Sequence, residues 1–235
     1  MKPLKLEQRI FLRSLLWQAS WNFTRMQCLG LVYAIYPLLE RLYGRDSRKL
    51  NERLRRYMIC FNTNPYLAAA ILGFLVHMES RGETMGDQGL ALSGNLAGLY
   101  GAIGDSFFWS GLKPMVSVLA VTIYFWWPGL LAPLFLVVVY NAVHLGLRYA
   151  VFLYGLHRGI GVIEIIDRWH LPRCKDIMEM VTATGLAATL YFAVGYCDFA
   201  GRNGNNAPGF FILMAVIAGL VWQRRNRRYI CKPEL

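Results

Sequence analysis

Residues 114–147 read PMVSVLAVTIYFWWPGLLAPLFLVVVYNAVHLGL, without one formally charged side chain between Lys113 and Arg148. A helical membrane span needs about 20 apolar residues and two spans about forty, so this run suits one long tilted span or a hairpin of two short helices. At its centre Trp126-Trp-Pro-Gly129 joins interfacial aromatics to a turn dipeptide, which favours the hairpin. Composition agrees with a membrane setting. Apolar residues make up 56% of the 235-residue chain and charged ones 17%, and the mean hydropathy is +0.34. Intrinsic disorder is excluded, because it requires low hydrophobicity. Five scattered cysteines without CxxC spacing speak against a disulfide framework or a zinc ribbon.

The net charge of +11 is concentrated at the two ends. Residues 1–56 hold twelve Lys or Arg against four acids, and the tail after Trp222 holds five against one. Basic ends around a nearly neutral apolar middle match anionic headgroups and the positive-inside rule. A nucleic-acid binder would spread its cations along a groove, so no nucleic-acid partner is expected. No signal-peptide pattern opens the chain, and the N- and C-termini are predicted to be cytoplasmic.

Outward from the central run, Leu6, Ile10, Leu12, Leu15 and Leu16 fall mostly on one helical face opposite Arg9 and Arg13. This predicts an amphipathic N-terminal helix lying at the membrane interface, with a soluble surface helix as the alternative. An aromatic stretch, Trp17–Tyr43, is broken by Pro37, and a basic helix follows over about Ser47–Phe61. Leu67–Met78 is apolar but too short to span, which suits a core or re-entrant helix. Gly82–Gly104 is glycine-rich, as in close helix packing or broken helices. Tyr149–Ile166 is apolar, Trp169–Glu179 reads as a polar loop, Arg202–Pro208 is a loop and Gly209–Trp222 is a last apolar helix. The fold class is all-α: a polytopic membrane protein with short, broken or re-entrant helices. Amphipathic and basic cytoplasm-facing helices occupy 1–60, membrane-embedded helices 61–222 and a basic cytoplasmic tail 223–235.

Polar residues inside apolar stretches carry the functional information, because burying them unpartnered costs several kcal/mol. Three clusters stand out: Gln18–Gln27, with Gln18, Asn22 and Arg25 at helical spacing; Phe61-Asn-Thr-Asn-Pro-Tyr66; and Gly104-Asp-Ser-Phe-Phe-Trp109. Each has a plain structural reading. Asn62 or Asn64 could cap the helix after Pro65, Asp105 could cap one starting at Ser106, and Arg25 could snorkel or pair with an acid. Alternatively amides, a carboxylate and aromatics converge on a neutral polyhydroxylated solute, since Asn, Gln and Asp offer paired donors and acceptors that match vicinal hydroxyls. His77, His144, His157 and His170 form no metal-ligating spacing, and no Walker A, GxSxG or strand-borne GxGxxG sequence is present. No catalytic residue, metal or cofactor is assigned.

At these clusters the sequence resembles the IID membrane component of the mannose/fructose/sorbose family of the bacterial phosphotransferase system. The matching stretches are Gln18–Gln27, Phe61–Tyr66 followed by Ala70-Ile-Leu-Gly73, and Gly104–Trp109 with Lys113-Pro114. Asn141–Tyr149 and Pro208-Gly209 also fit in order, so the likeness runs from about Phe11 to Arg228. It departs at Thr24, where an acid is common, at Leu99, Tyr100 and Ala102, and in ending at Leu235, where family members usually continue into one more apolar helix.

The resemblance implies a multi-pass subunit of the bacterial inner membrane in an obligate, higher hetero-oligomeric complex with a IIC partner. Together they pass a hexose through the bilayer while IIA and IIB phosphocarrier proteins phosphorylate it, with no phosphorylated residue in this chain. Asn62, Thr63, Asn64, Asp105, Asn22 and Gln27 are the implied substrate-binding residues, and Trp21, Arg25 and Trp109 the partner interface. The alternative is a regulatory or vestigial scaffold subunit of a reduced phosphotransferase system without transport of its own. A weaker third reading is a membrane enzyme using Asp105 and a histidine.

Overall fold

The computed structural model describes residues 4–82 and 86–200. The Arg202–Pro208 loop, the Gly209–Trp222 helix and the 223–235 tail lie outside them. The described residues contain no strand and form nine α-helices: α1 (Leu6–Ser14), α2 (Cys28–Tyr43), α3 (Ser47–Tyr57), α4 (Ala68–Ser80), α5 (Gly86–Gly104), α6 (Lys113–Trp126), α7 (Leu131–Arg158), α8 (Ile165–Arg168) and α9 (Leu171–Ala200). A π-helical segment, Asp105–Leu112, joins α5 to α6, and a 3-10 segment, Gly159–Glu164, joins α7 to α8. The chain divides into two units, Met1–Ser106 with Ala142–Leu171, and Phe107–Asn141 with Pro172–Leu235.

The first unit is built around α4. Ala68–Val76 is buried along its whole length, so this apolar helix is a core element rather than one face of a surface helix. It meets α7 backbone to backbone. A Cβ on Gly73 would sit 2.3 Å from the Phe152 carbonyl oxygen, and one on Gly155 2.3 Å from that of Ala70. Lipid is as apolar as leucine, so association inside a bilayer depends on such close van der Waals contact rather than on the hydrophobic effect.

Around this pair the other helices are fixed by their ends. Asp46 accepts from the amides of Arg48 and Lys49, each at 3.1 Å, and starts α3. Helix α1 buries Ile10 and Ser14, while Leu12, Leu15 and Leu16 beside them stay exposed. The buried Arg148 of α7 donates through Nη2 to the Ser14 carbonyl. A cation there satisfies an orphan carbonyl at the negative end of α1. Pro37 lies inside α2, which continues past it to Tyr43.

Glu79, 8% exposed near the end of α4, ties three helices together. Its carboxylate accepts from the Tyr57 hydroxyl at 2.7 Å and the Tyr43 hydroxyl at 3.0 Å, with Arg53 Nη1 at 4.0 Å. Burial first, and then the carboxylate beside them, push both phenols above the ordinary tyrosine range, so they remain donors.

In the second unit α6 and α9 pack against each other through one glycine, a threonine pair and an aromatic pair. A Cβ on Gly185 would meet Val118 Cγ1 at 2.7 Å, Thr122 and Thr189 share a hydroxyl–hydroxyl bond of 3.1 Å, and Trp126 and Phe192 meet edge to face at 5.4 Å.

Two continuous helical stretches, Ala91–Trp126 (36 residues) and Leu131–Glu164 (34 residues), are apolar and long enough to cross a bilayer. The long uncharged run therefore breaks where Trp-Trp-Pro-Gly predicts: α6 stops at Trp126, Gly129 takes φ +138°, a value that suits glycine, and α7 begins at Leu131. Its second half is not short, however. Helix α7 runs through Tyr149 to Arg158 as one element. The polar stretch 171–179 is helical, not a loop. Pro172 occupies the first turn of α9, where it is tolerated, and Lys175 and Glu179 form an i,i+4 ion pair at 2.7 Å.

Candidate functional site

Gln27 organises the polar centre of the first unit. It is 3% exposed, and its Oε1 accepts from the Trp17 indole nitrogen at 2.9 Å and the Thr63 amide at 3.1 Å. Its Nε2 donates to the Thr63 carbonyl at 2.8 Å, and its own amide donates to the Phe61 carbonyl at 2.8 Å. One side chain thus satisfies both backbone groups of Thr63 and holds the Phe61–Tyr66 turn against the chain entering α2. Trp17, 1% exposed, stands edge to face with Phe61 at 5.8 Å, and Gly30 leaves no room for a Cβ beside the Trp17 carbonyl, 2.0 Å away.

Residues 22–26 are not helical, although Gln18, Asn22 and Arg25 are helically spaced. Asn22 and Met26 exchange backbone bonds of 3.1 and 2.9 Å, Met26 adopts φ +53°, and Asn22 Oδ1 accepts from the Arg25 amide at 2.8 Å. A methionine with positive φ is uncommon and is held here by the ring of bonds around it. The loop displays Trp21 (44% exposed) against Phe23 (86%), with ring centroids 4.8 Å apart. Arg25 is exposed and donates through Nη1 to Met58 Sδ at 3.8 Å.

Asn64, 1% exposed, links the turn to both flanking helices. Its Oδ1 accepts from the amides of Tyr66 (3.0 Å) and Leu67 (3.3 Å), capping the Pro65–Leu67 turn that leads into α4. Its Nδ2 donates to Asp105 Oδ1 at 2.9 Å. Capping is therefore part of what Asn64 does, and holding Asp105 is the rest. Asp105 is exposed and does not stand at a helix start, because the helix runs through it from α5 into the π-helical segment. Glycine at 104 is required by this arrangement: a Cβ there would lie 2.4 Å from Asn64 Cβ.

Thr63 is 6% exposed, and its Oγ1 has no hydrogen-bond partner among the described residues. It lies 3.8 Å from the point a Cβ on Gly101 would occupy. Asn62 is exposed.

Gln27, Asn62, Thr63, Asn64 and Asp105 thus gather around one turn. Asn22 works in its own loop, where its side chain bonds to the backbone of Arg25 and Ser20. Trp109 lies in the second unit, 41% exposed, with the Lys113 ammonium 5.4 Å from its ring centroid. Among the described residues no three His, Cys, Asp or Glu side chains gather to hold a metal ion. Chemically the turn offers amide donors and acceptors, a hydroxyl and a carboxylate, a set suited to hydrogen-bonding a neutral polyol. The parts that periodicity does not reveal are Trp17, which seals Gln27 from the other side, and Gly101, against which Thr63 lies.

Fold and site together define a helical membrane protein with a polar turn set among apolar helices. The chain matches the family model described as the PTS system mannose/fructose/sorbose family IID component over residues 5–194, and it belongs to that family. It is 36% identical over 173 residues to the mannose-specific EIID component of Escherichia coli K12, covering 71% of this chain and 60% of that protein. It is 33% identical over 181 residues to the fructose permease IID component of Bacillus subtilis, covering 75% and 64%. The chain thus spans less than two thirds of the length of these relatives. The cryo-electron-microscopy structure of the mannose transporter ManYZ with microcin E492 superposes with a TM-score of 0.62 at 29% identity, over 81% of this chain and 72% of that one.

Proposed function

We propose that this chain is the IID subunit of a phosphotransferase-system sugar permease, and that with a IIC subunit it forms the path of a hexose through the bacterial inner membrane. IIA and IIB phosphocarriers phosphorylate the sugar, and this chain contributes binding groups rather than a phosphorylated residue. The observation that carries the reading is the Phe61–Tyr66 turn. Gln27 and Asn64 spend their hydrogen bonds on holding it in place, which leaves for a ligand the exposed Asn62 amide and the Thr63 hydroxyl, unpartnered among the described residues. A hydroxyl left unpartnered in a buried position costs about 1–3 kcal/mol unless something completes it.

In this reading Asn62 and Thr63 touch the sugar directly. Asn64 and Gln27 position them, Asp105 frames the turn, and Asn22 shapes the adjoining loop. Trp21, Arg25 and Trp109 face the partner. The chain is ordered with 1–60 toward the cytoplasm, 61–222 in the membrane and 223–235 as a cytoplasmic tail, with both termini on that side. The relatives matched are permease components, which favours transport over a scaffold role.

The test uses membrane vesicles holding this chain with a IIC subunit, supplied with IIA, IIB and phosphoenolpyruvate. Asn62→Ala and Thr63→Val should each lower hexose uptake at least several-fold while the amount of assembled complex stays at the wild-type level. Uptake unchanged in both variants would remove these residues from the sugar site.

A further inference from the structure

Among the described residues Arg148 is the only buried cation, 4% exposed, and it lies within the apolar stretch Leu131–Glu164. Its Nη2 donates to the Ser14 carbonyl, while its Nε is buried with no hydrogen-bond partner among the described residues. No carboxylate among those residues forms an ion pair with it. The titratable side chains that interact with it are Tyr66 and His144, neither of them a carboxylate. A guanidinium presents five N–H donors, and a charge buried without an anion carries a heavy desolvation cost. The bond to Ser14 completes the carbonyl and leaves the cation incomplete.

Its depth and surroundings indicate which anion fits. Arg148 is the first charged residue after the 114–147 run, and it stands seventeen residues past Leu131, where α7 begins. At 1.5 Å per residue that is about 26 Å of helix. A bilayer's hydrocarbon core is about 30 Å thick, so with the Trp126-Trp-Pro-Gly129 break at one interface Arg148 falls near the opposite edge, the level of lipid phosphates. The exposed side chains next to it along the chain are apolar. Leu15, which follows Ser14, Leu145, one turn before Arg148, and Tyr149 are 40–43% exposed. Acyl chains cover leucines, and tyrosine suits the headgroup boundary. Helix α1 adds exposed Leu12 and Leu16 and carries no acid after Glu7.

We propose that the junction of α1 and α7 is a binding site for one anionic phospholipid. The headgroup phosphate pairs with Arg148, and the acyl chains lie over Leu15, Leu145 and Tyr149. A planar guanidinium takes a phosphate through parallel N–H bonds, which supplies the anion missing from the chain's own described residues. The inference goes beyond the permease reading and stands on Arg148 whether or not the chain moves sugar.

The experiment mixes the full chain, purified in neutral detergent, with equal amounts of phosphatidylglycerol and phosphatidylcholine and counts bound lipid by native mass spectrometry. Phosphatidylcholine carries the same phosphate beside a cation of its own, so the comparison reads net charge. The wild-type chain should hold one phosphatidylglycerol with at least ten-fold preference, and Arg148→Gln should abolish that preference. Because substitution of a buried residue can disturb folding, Leu15→Glu is the second variant. Its position is exposed, and it sets a carboxylate next to Ser14, where it repels the phosphate or replaces it. This variant should reach the membrane at the wild-type level and bind phosphatidylglycerol at least ten-fold less. Equal binding of the two lipids, or undiminished phosphatidylglycerol binding by Leu15→Glu, would overturn the inference. Displacement of the lipid by millimolar inorganic phosphate would assign the site to a soluble phosphate and overturn it equally. Loss of the lipid on assembly with a IIC subunit would give Arg148 to a group of that partner, with the same consequence.

Discussion

Replacing Asn64 by Ala tests how the polar turn is held. The substitution removes the two amide bonds to Oδ1 and the 2.9 Å bond to Asp105. Losing an Asn cap costs about 1 kcal/mol. A hydrogen bond to a charged group is worth about 1.5–3 kcal/mol, and the low end applies because Asp105 is exposed and water can replace its partner. Asn64→Ala should therefore destabilise by about 2.5 kcal/mol and Asp105→Ala by about 1.5 kcal/mol. The bond between the two side chains is lost in both single variants and only once in the double, giving a coupling of about 1.5 kcal/mol. The cycle is read from denaturant unfolding of the chain in detergent, followed by tryptophan fluorescence. Strict additivity, with coupling below about 0.3 kcal/mol, would refute the link between α5 and the turn.

Four further outcomes follow from the same geometry. Gln27→Leu strands the Trp17 indole and both backbone groups of Thr63 and should cost about 3 kcal/mol or more, seen as a collapse of the monodisperse peak in size-exclusion chromatography. Tyr57→Phe keeps the ring but removes the 2.7 Å bond to buried Glu79, for a loss of about 1.5–3 kcal/mol in the unfolding assay. Gly155→Ala drives a Cβ into the backbone of α4 at 2.3 Å and should cost about 3 kcal/mol, with a marked drop in folded protein recovered. Gly104→Ala should mimic Asn64→Ala in stability, because its Cβ would occupy the place of the Asn64 side chain.

Local signals are legible wherever one residue type dictates its own conformation. Pro128 and Gly129 mark the break between α6 and α7, and the amide-rich turn before an apolar run announces the entry to α4. The central cluster is legible as a set of polar residues but not as a structure. Gln18, Asn22 and Arg25 share a helical period, yet Gln27 makes its bonds to Trp17 and Thr63, and a partner 36 positions away leaves no periodicity. The stretch 171–179 reads as a loop because its charges lower hydropathy, whereas the Lys175–Glu179 spacing that supports a helix acts through pairing. Asp105 does not start a helix because α5 continues through it, and glycine at 104 lets α5 approach the turn closely, a contact visible only once both elements are placed. Glu79 carries a local hint, an acid near the end of an apolar helix, but its tyrosine partners come from α2 and α3.

The most direct measurement is phosphoenolpyruvate-dependent hexose uptake by vesicles carrying IIC, IIA and IIB, with and without this chain. Uptake well above background only when the chain is present is the predicted result. Equal uptake in its absence would contradict a role for this chain in the translocation path.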